Sequence, residues 1–383
     1  MPRHYLDHAS SAPLRPEAAR AMQQAFTLAG ADPGRLHLEG RATRQAVETA
    51  REQVAELVGV RPRQVVFTSG GTEAANSAVW GAAQARPGSP ILCAPVEHSA
   101  VRDASLRAAP VEPLAVDGTG RIDVEAVRAA LSLPAPRRPA LLHCQWANHE
   151  VGTLQPVAEL VALGHAFDVP VHVDAAAACG QVPLDLGSLG ADLVSLSAHK
   201  FGGPPGIGAL VVRRGLRMAP FVVGGQQERA RRGGMENVPG IVGFGAAAEA
   251  LGADGGRRLL VEAAAARART ARVVEAARAV PGVGVVGDPD FGPDHHLPHL
   301  VCLGVDGVEA EPVLLGLDRA GVAVHSGSAC SSESLEPSPV LEAMGVDAER
   351  SLRVSVGWST VDADVEAFSH AFGAVVGELR ALR

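Results

Sequence analysis

Apolar residues in the first quarter of the chain recur at two different spacings. From Arg41 to Val58, the positions Ala46, Val47, Ala50, Val54, Leu57 and Val58 fall three and four apart, which predicts an amphipathic helix. Pro62 interrupts it, and Gln64-Val65-Val66-Phe67 reads as a short buried strand. Gly70-Gly71 form a turn, and residues 72–85 read as a helix with Thr72 near its N-cap. The alternation continues, with strands predicted at 91–94, 140–145, 169–174, 193–197 and 207–212. Helices are predicted at 99–108, 123–131 and 157–167. Strands and helices alternating over such a length imply an α/β fold with a mostly parallel sheet covered by helices. An Ala/Arg/Glu-rich stretch at 257–280 reads as one long helix leading out of that layer. Strands near 300–303 and 352–356 follow, with helices near 309–320, 339–344 and 361–382, a pattern that fits a second, α+β domain. The Pro-rich stretch 133–139 reads as a loop.

With 383 residues and 47% hydrophobic positions, the chain is long enough for a large core divided between two domains. No apolar run is long enough to span a bilayer. The segment Met1-Pro2-Arg3-His4-Tyr5-Leu6-Asp7 lacks the apolar region of a signal peptide, so the expected location is cytoplasmic and away from membranes. A net charge of −8 argues against a general nucleic-acid binder. Five cysteines without C-x-x-C spacing are too few for a disulfide scaffold and ill-placed for structural zinc. His295, His296 and His299 lie among prolines and glycines and read as loop histidines, so no metal is expected.

One count changes the picture. Of 34 basic residues only Lys200 is a lysine; the others are arginines. Only a primary amine condenses with a carbonyl to form a Schiff base, so this lysine is either a chance survivor or the reagent of the protein. It follows a predicted strand, in Ser195-Leu196-Ser197-Ala198-His199-Lys200, and precedes Phe201-Gly202-Gly203-Pro204-Pro205-Gly206, whose glycines and prolines impose an irregular backbone. An apolar, cation-rich pocket would depress the pKa of such a lysine. In Val171-His172-Val173-Asp174 another buried strand ends on an acid, where ligands of open α/β sheets bind. Asp174 there would either cap a helix or ion-pair with the protonated pyridine nitrogen of pyridoxal 5′-phosphate (PLP). Thr68-Ser69-Gly70-Gly71-Thr72-Glu73 presents backbone N–H groups and hydroxyls at a helix start, a ready anion site, with Ser197 and His199 as further phosphate donors. His98, in Glu97-His98-Ser99, is a loop histidine, a helix cap or a ring that lies flat on the pyridine. Cys330 sits among small residues in Ser326-Gly327-Ser328-Ala329-Cys330-Ser331-Ser332, unlike Cys93 and Cys302 in their apolar runs, which marks it as the candidate reactive thiol. Arg353 projects from the apolar strand Leu352-Arg353-Val354-Ser355-Val356 and needs an anion, either a substrate carboxylate held bidentately or a structural partner.

Together these residues resemble the cysteine desulfurases, in the class V branch of fold-type I PLP enzymes. The likeness runs from Tyr5-Leu6-Asp7-His8-Ala9 to Arg353, through Asn148-His149-Glu150-Val151-Gly152, Gly224-Gly225-Gln226-Gln227-Glu228-Arg229 and Glu236-Asn237-Val238-Pro239-Gly240. Most specific is Ser326-Gly327-Ser328-Ala329-Cys330 followed by Ser334-Leu335-Glu336-Pro337-Ser338, which is similar to the subgroup with a long mobile cysteine loop, associated with iron–sulfur cluster assembly and tRNA thiolation. The resemblance implies a large PLP-binding domain (13–255) around a mostly parallel seven-stranded sheet. It also implies a smaller α+β domain (1–12 and 256–383) carrying the Cys330 loop, and a homodimer. Lys200 would bind PLP, Asp174 pair with its ring nitrogen and His98 stack on the ring. Gly71, Thr72, Ser197 and His199 would hold the phosphate. Asn148 would reach the ring hydroxyl and the substrate, and Arg353 the carboxylate of L-cysteine. Cys330 would take the sulfur as a persulfide, leaving alanine, and pass it to a protein acceptor. A selenocysteine lyase, or another class V lyase or transferase of specialised metabolism, is the alternative.

Three positions depart from the family pattern. Ala177 stands where a glutamine bonds the ring hydroxyl, and Gly233-Gly234-Met235 where a threonine reaches the phosphate in the neighbouring subunit. Asp32-Pro33-Gly34-Arg35 replaces Asn-Pro-Ser-Ser. Each loss removes about 1 kcal/mol of hydrogen bonding or somewhat more. Purified protein is therefore expected to lose PLP on dialysis more readily than relatives that keep those side chains; full retention would overturn this.

Overall fold

The computed structural model describes residues 3–27, 30–132, 138–326 and 337–382. The chain opens with β1 (His4–Tyr5), α1 (Pro16–Phe26) and α2 (Leu38–Leu57). It then alternates through β2 (Val65–Thr68), α3 (Gly71–Ala85), β3 (Ile91–Cys93), α4 (Ser99–Ala108), β4 (Val111–Pro113), α5 (Val124–Leu131), β5 (Leu141–Gln145), α6 (Val157–Ala166), β6 (Val171–Asp174), α7 (Leu186–Leu189), β7 (Leu193–Ser197) and β8 (Gly208–Val212). After α8 (Gln227–Ala230) and the long α9 (Val238–Arg278) come β9 (Val283–Val286), β10 (Leu300–Val305), α10 (Ala310–Arg319), β11 (Val322–Ala323), β12 (His325–Ser326), α11 (Pro339–Ala343), β13 (Ser351–Ser355) and α12 (Asp362–Ala381).

Seven strands form one sheet in the order β2-β8-β7-β6-β5-β3-β4. Strand β8 alone runs against its neighbours, β2 and β7. Every residue of β5, β7 and β8 is buried, as expected of strands covered on both faces. Buried polar groups of β5, β6 and β7 are linked in a chain that ends on α4. The Nδ1 atoms of His143 and His172 lie 2.8 Å apart, His172 Nε2 is 2.8 Å from Ser195 Oγ, and His143 Nε2 is 3.1 Å from Ser105 Oγ. Ser105 spends its hydroxyl proton on the Val101 carbonyl. His143 must therefore donate from Nε2, and the tautomers along the chain follow from that.

A second, antiparallel sheet has the order β12-β13-β10-β9, and β1 pairs with β11 in parallel. Leu6, Val273, Val274, Ala277, Leu303 and Phe368 share a separate core on this sheet. The helix predicted at 257–280 is only the second limb of α9. Backbone breaks at Ala253–Gly256 divide it, and the first limb packs on α1 and α2. That limb is poor in helix formers, because its glycines serve packing. A Cβ on Gly245 would lie 2.6 Å from the Ala50 Cα. The helix predicted at 72–85 begins one residue earlier, with Gly70 rather than Thr72 at the N-cap. The loop predicted at 133–139 falls mostly outside the described residues.

The opening segment stitches the layers together. Leu6 and His8 bond to Ala323 and Ser355 of the small-sheet region, while Ala12 N and Arg15 N bond to the carbonyls of His199 and Gly202. Arg15 is 1% exposed; its Nε donates to Phe201 O at 2.7 Å and its fork holds Glu262 of α9.

Candidate active site

Strands β5, β6 and β7 end side by side on Gln145, Asp174 and Ser197, and a cavity of about 420 Å³ opens over their carboxyl ends. It is lined by Gly71, Thr72, His98, Asp174, Ser197, His199 and Lys200, together with Ser10, His149 and Ala177. Seven of the predicted site residues therefore converge. Ser10 and His149 were not predicted from the pattern; they arrive from segments whose only sequence signal was the family motif around them.

Lys200 closes a short 3-10 turn at the end of β7. Its Nζ donates to Ala9 O at 2.6 Å and Ser10 O at 3.2 Å, so the opening segment passes over the amine. Gly202 next to it has a φ of +92°, and a Cβ there would strike the Arg15 side chain, which is why glycine is required. Asp174 Oδ1 accepts from Ala176 N at 3.0 Å. Burial pushes its carboxyl up, against the Ala176 N–H and the Lys200 charge, which pull it down. The start of α3 supplies the anion cup, where the first N–H groups have no helical acceptor. A Cβ on Gly71 would be 3.4 Å from the Ser197 Cβ, so the helix start and the end of β7 are nearly in contact. Ser197 Oγ lies 3.0 Å from His199 Nδ1.

His98 is both helix cap and cavity wall. Its Nδ1 accepts from Ala100 N at 3.0 Å, which leaves the proton of the neutral ring on Nε2. Burial, with His149 and Lys200 adding to it, pushes its pKa down to about 3. A neutral ring of this kind can lie against an aromatic cofactor and exchange a proton at Nε2.

Asn148 and Arg353 stand behind the cavity wall rather than on it. Asn148 Oδ1 accepts from Glu150 N and Val151 N at 2.8 and 2.9 Å, and its Nδ2 donates to Val96 O. Arg353, 2% exposed, donates to His149 O, Asp7 Oδ1 and Ser10 Oγ at 3.0, 3.1 and 2.6 Å. Its structural anion is thus Asp7, and Nε is the donor left without a partner. His296 and His299, read as loop histidines, are buried at 0% and 2% exposure. Cys330 lies outside the described residues. Cys93, Cys144, Cys179 and Cys302 are buried, and burial pushes all four thiols up, Cys179 and Cys302 to about 12.

This donor set fits PLP. A helix N-terminus with hydroxyls suits a phosphate, an acid stands at a strand end, and the amine is a primary one.

Glu97 is a further buried carboxyl whose importance the sequence did not reveal. Its Oε1 accepts from Gln145 N at 2.6 Å, beside Asp174 in the sheet, while Oε2 has no partner. Burial, then the Asp174 charge, push its pKa from 4.5 up to about 8. Between those values the folded chain keeps a proton that the unfolded chain has released. The stability Glu97 confers is thus complete below about 4.5 and lost as pH rises toward about 8, by up to about 1.4 kcal/mol per pH unit. Denaturant melts should show Glu97→Gln gaining stability relative to wild type as pH rises through this window. A difference that does not vary with pH would refute the assignment.

The chain was compared with known proteins. The family model "Aminotransferase class-V" matches residues 4–368. A cysteine desulfurase of Cereibacter sphaeroides is 41% identical, over 100% of this chain and 98% of that protein. Among solved structures, a NifS-like protein from Rickettsia africae superposes with a TM-score of 0.86 at 26% identity, covering 98% of this chain and 99% of that one. A structure of SspA in complex with cysteine gives 0.79 at 27% identity, over 94% and 100%. Likeness of this extent, running over nearly the whole chain, makes it a member of the aminotransferase class-V family, with PLP as its cofactor.

Proposed function

We propose that this protein is a cysteine desulfurase that converts L-cysteine to L-alanine and forms a persulfide on Cys330. The observation that carries the reading is the placing of the only lysine, Lys200, in one cavity with Asp174, His98 and the anion cup at the start of α3. PLP, when bound, draws electrons from the α-carbon of the amino acid and so labilises its side chain. Lys200 would hold the cofactor and move the proton at the α-carbon. Asp174 would pair with the pyridine nitrogen, and His98, with its proton at Nε2, would pack on the ring. Gly71, Thr72, Ser197 and His199 would grip the cofactor phosphate. Asn148 braces the loop that carries His149 and supports the substrate side of the site. Arg353 braces Ser10 and His149 and supplies the positive charge that draws the substrate carboxylate. The Cys330 thiolate attacks the sulfur of L-cysteine. The carbon–sulfur bond breaks, a sulfur–sulfur bond forms, and the carbon left behind takes a proton, giving alanine and the persulfide. A protein acceptor then removes the outer sulfur.

We further place the domain boundary at 255/256, within the break in α9, and read the working form as a cytoplasmic homodimer. Supporting the dimer are the exposed apolar side chains of Phe221, Val223 and Met235, the last of which lines a pocket together with Ser69 and Gly206 of the cavity wall. No helix among the described residues is long and apolar enough to cross a membrane.

Sulfide release from L-cysteine in the presence of a thiol reductant tests the reading. Cys330→Ala should lose it by roughly two orders of magnitude or more while keeping PLP absorbance, and Lys200→Ala should lose both. Full turnover in Cys330→Ala would point instead to a lyase reaction that needs no protein thiol.

A further inference from the structure

The turn at 226–232 has a strained backbone. Glu228, Arg229 and Ala230 have φ values of 48°, 61° and 62°, a run of L-residues in the left-handed region that costs about 1 kcal/mol or more at each. Such a turn persists only where its surroundings hold it. Glu228 is 6% exposed, and its carboxylate accepts from Arg51 Nη1 and Nη2 at 2.7 Å each and from Phe67 N at 2.9 Å. The Arg51 guanidinium lies 4.7 Å over the Phe67 ring. The turn is thereby clamped to α2 and β2, at the root of the anion cup.

What the clamp delivers is Arg232. Its Nε and Nη2 donate to Glu73 Oε1 and Oε2 at 2.9 and 3.1 Å. Glu73 sits in the first turn of α3, lines the cofactor cavity, and also accepts from Ser69 N at 2.8 Å. Burial pushes its carboxyl up, but the bonds from Arg232 and Ser69 outweigh that and hold it below its ordinary value. Glu73 is therefore an anion. A carboxylate in the first turn suits a bare helix, yet it opposes a phosphate that must use the same N-terminus.

We propose that Arg232 is a positioning residue for the cofactor phosphate. By clasping Glu73 bidentately it neutralises the negative charge that Glu73 brings to the cup and holds the carboxylate aside from the free N–H groups. The strained turn and the Arg51–Glu228 clamp exist to set the reach of this clasp.

The inference rests on PLP being the cofactor, and the test separates the two. The full chain, stripped of cofactor, is titrated with PLP and with inorganic phosphate as competitor. Failure of wild type to bind PLP would sink the cofactor assignment itself. If wild type binds, Arg232→Ala should weaken PLP and phosphate together by about tenfold or more. Glu73→Gln alone should change either by less than about threefold, and Arg232→Ala with Glu73→Gln should return to within about threefold of wild type. Removing the carboxylate charge restores binding only if that charge was the obstacle. Wild-type affinity in Arg232→Ala, or a double variant as weak as the single one, would overturn the proposal. Should Arg232→Ala fail to fold, Arg232→Lys serves in its place. It keeps the charge and loses the fork, so it should weaken phosphate by several-fold and recover with Glu73→Gln; the absence of either effect would overturn the proposal equally.

Discussion

The active site depends on where the first fifteen residues run. A half-buried amine needs acceptors, and Lys200 finds them in the carbonyls of Ala9 and Ser10. A buried guanidinium needs an anion, and Arg353 finds Asp7 on the same segment. Both demands are met by a strand-like stretch pinned to the small sheet at one end and to the loop after Lys200 at the other. The two sheets therefore need not touch at the chemistry for the site to be well defined. They are held in relation by a strap whose hydrogen bonds are satisfied only when both are in place.

Charge inside the cavity follows the same economy. Burial keeps His98 and His149 neutral, each pushed to about 3, so neither competes with Lys200 as a cation. Burial also pushes Glu97 up to about 8. Two carboxyls in so dry a region do not ionise together easily. Glu97 is away from the cavity and Asp174 lines it, so the proton retained by Glu97 lowers the charge that opposes ionisation of Asp174.

Much of this was legible in the residues, and the reasons divide cleanly. Apolar runs ending on a chemically distinct residue, as at Asp174 and Lys200, mark strand ends of an open α/β sheet, and α4 spans the predicted 99–108. The first limb of α9 was not legible, because Gly240, Gly243 and Gly245 lower helix propensity while permitting the close approach to α1 and α2. The bracing role of Arg353 was equally hidden. Its partners Asp7 and Ser10 lie 346 and 343 positions away, and no local pattern reports such a distance. Glu97 was visible as a residue but not as a buried acid, since its environment comes from β5 and β6 rather than from its neighbours in the chain.

The lone lysine also affects what the protein does not react with. PLP is an aldehyde and condenses with any accessible primary amine, so proteins with many surface lysines collect stray imines. Here the outer charge is carried by guanidinium groups, which do not condense in this way. Apart from the amino terminus, the only side chain open to such a modifier lies beneath the strap at the end of β7. Simple aldehydes and acetylating agents that require a primary amine thus have a single internal side-chain target on this chain, and a resident cofactor would shield it.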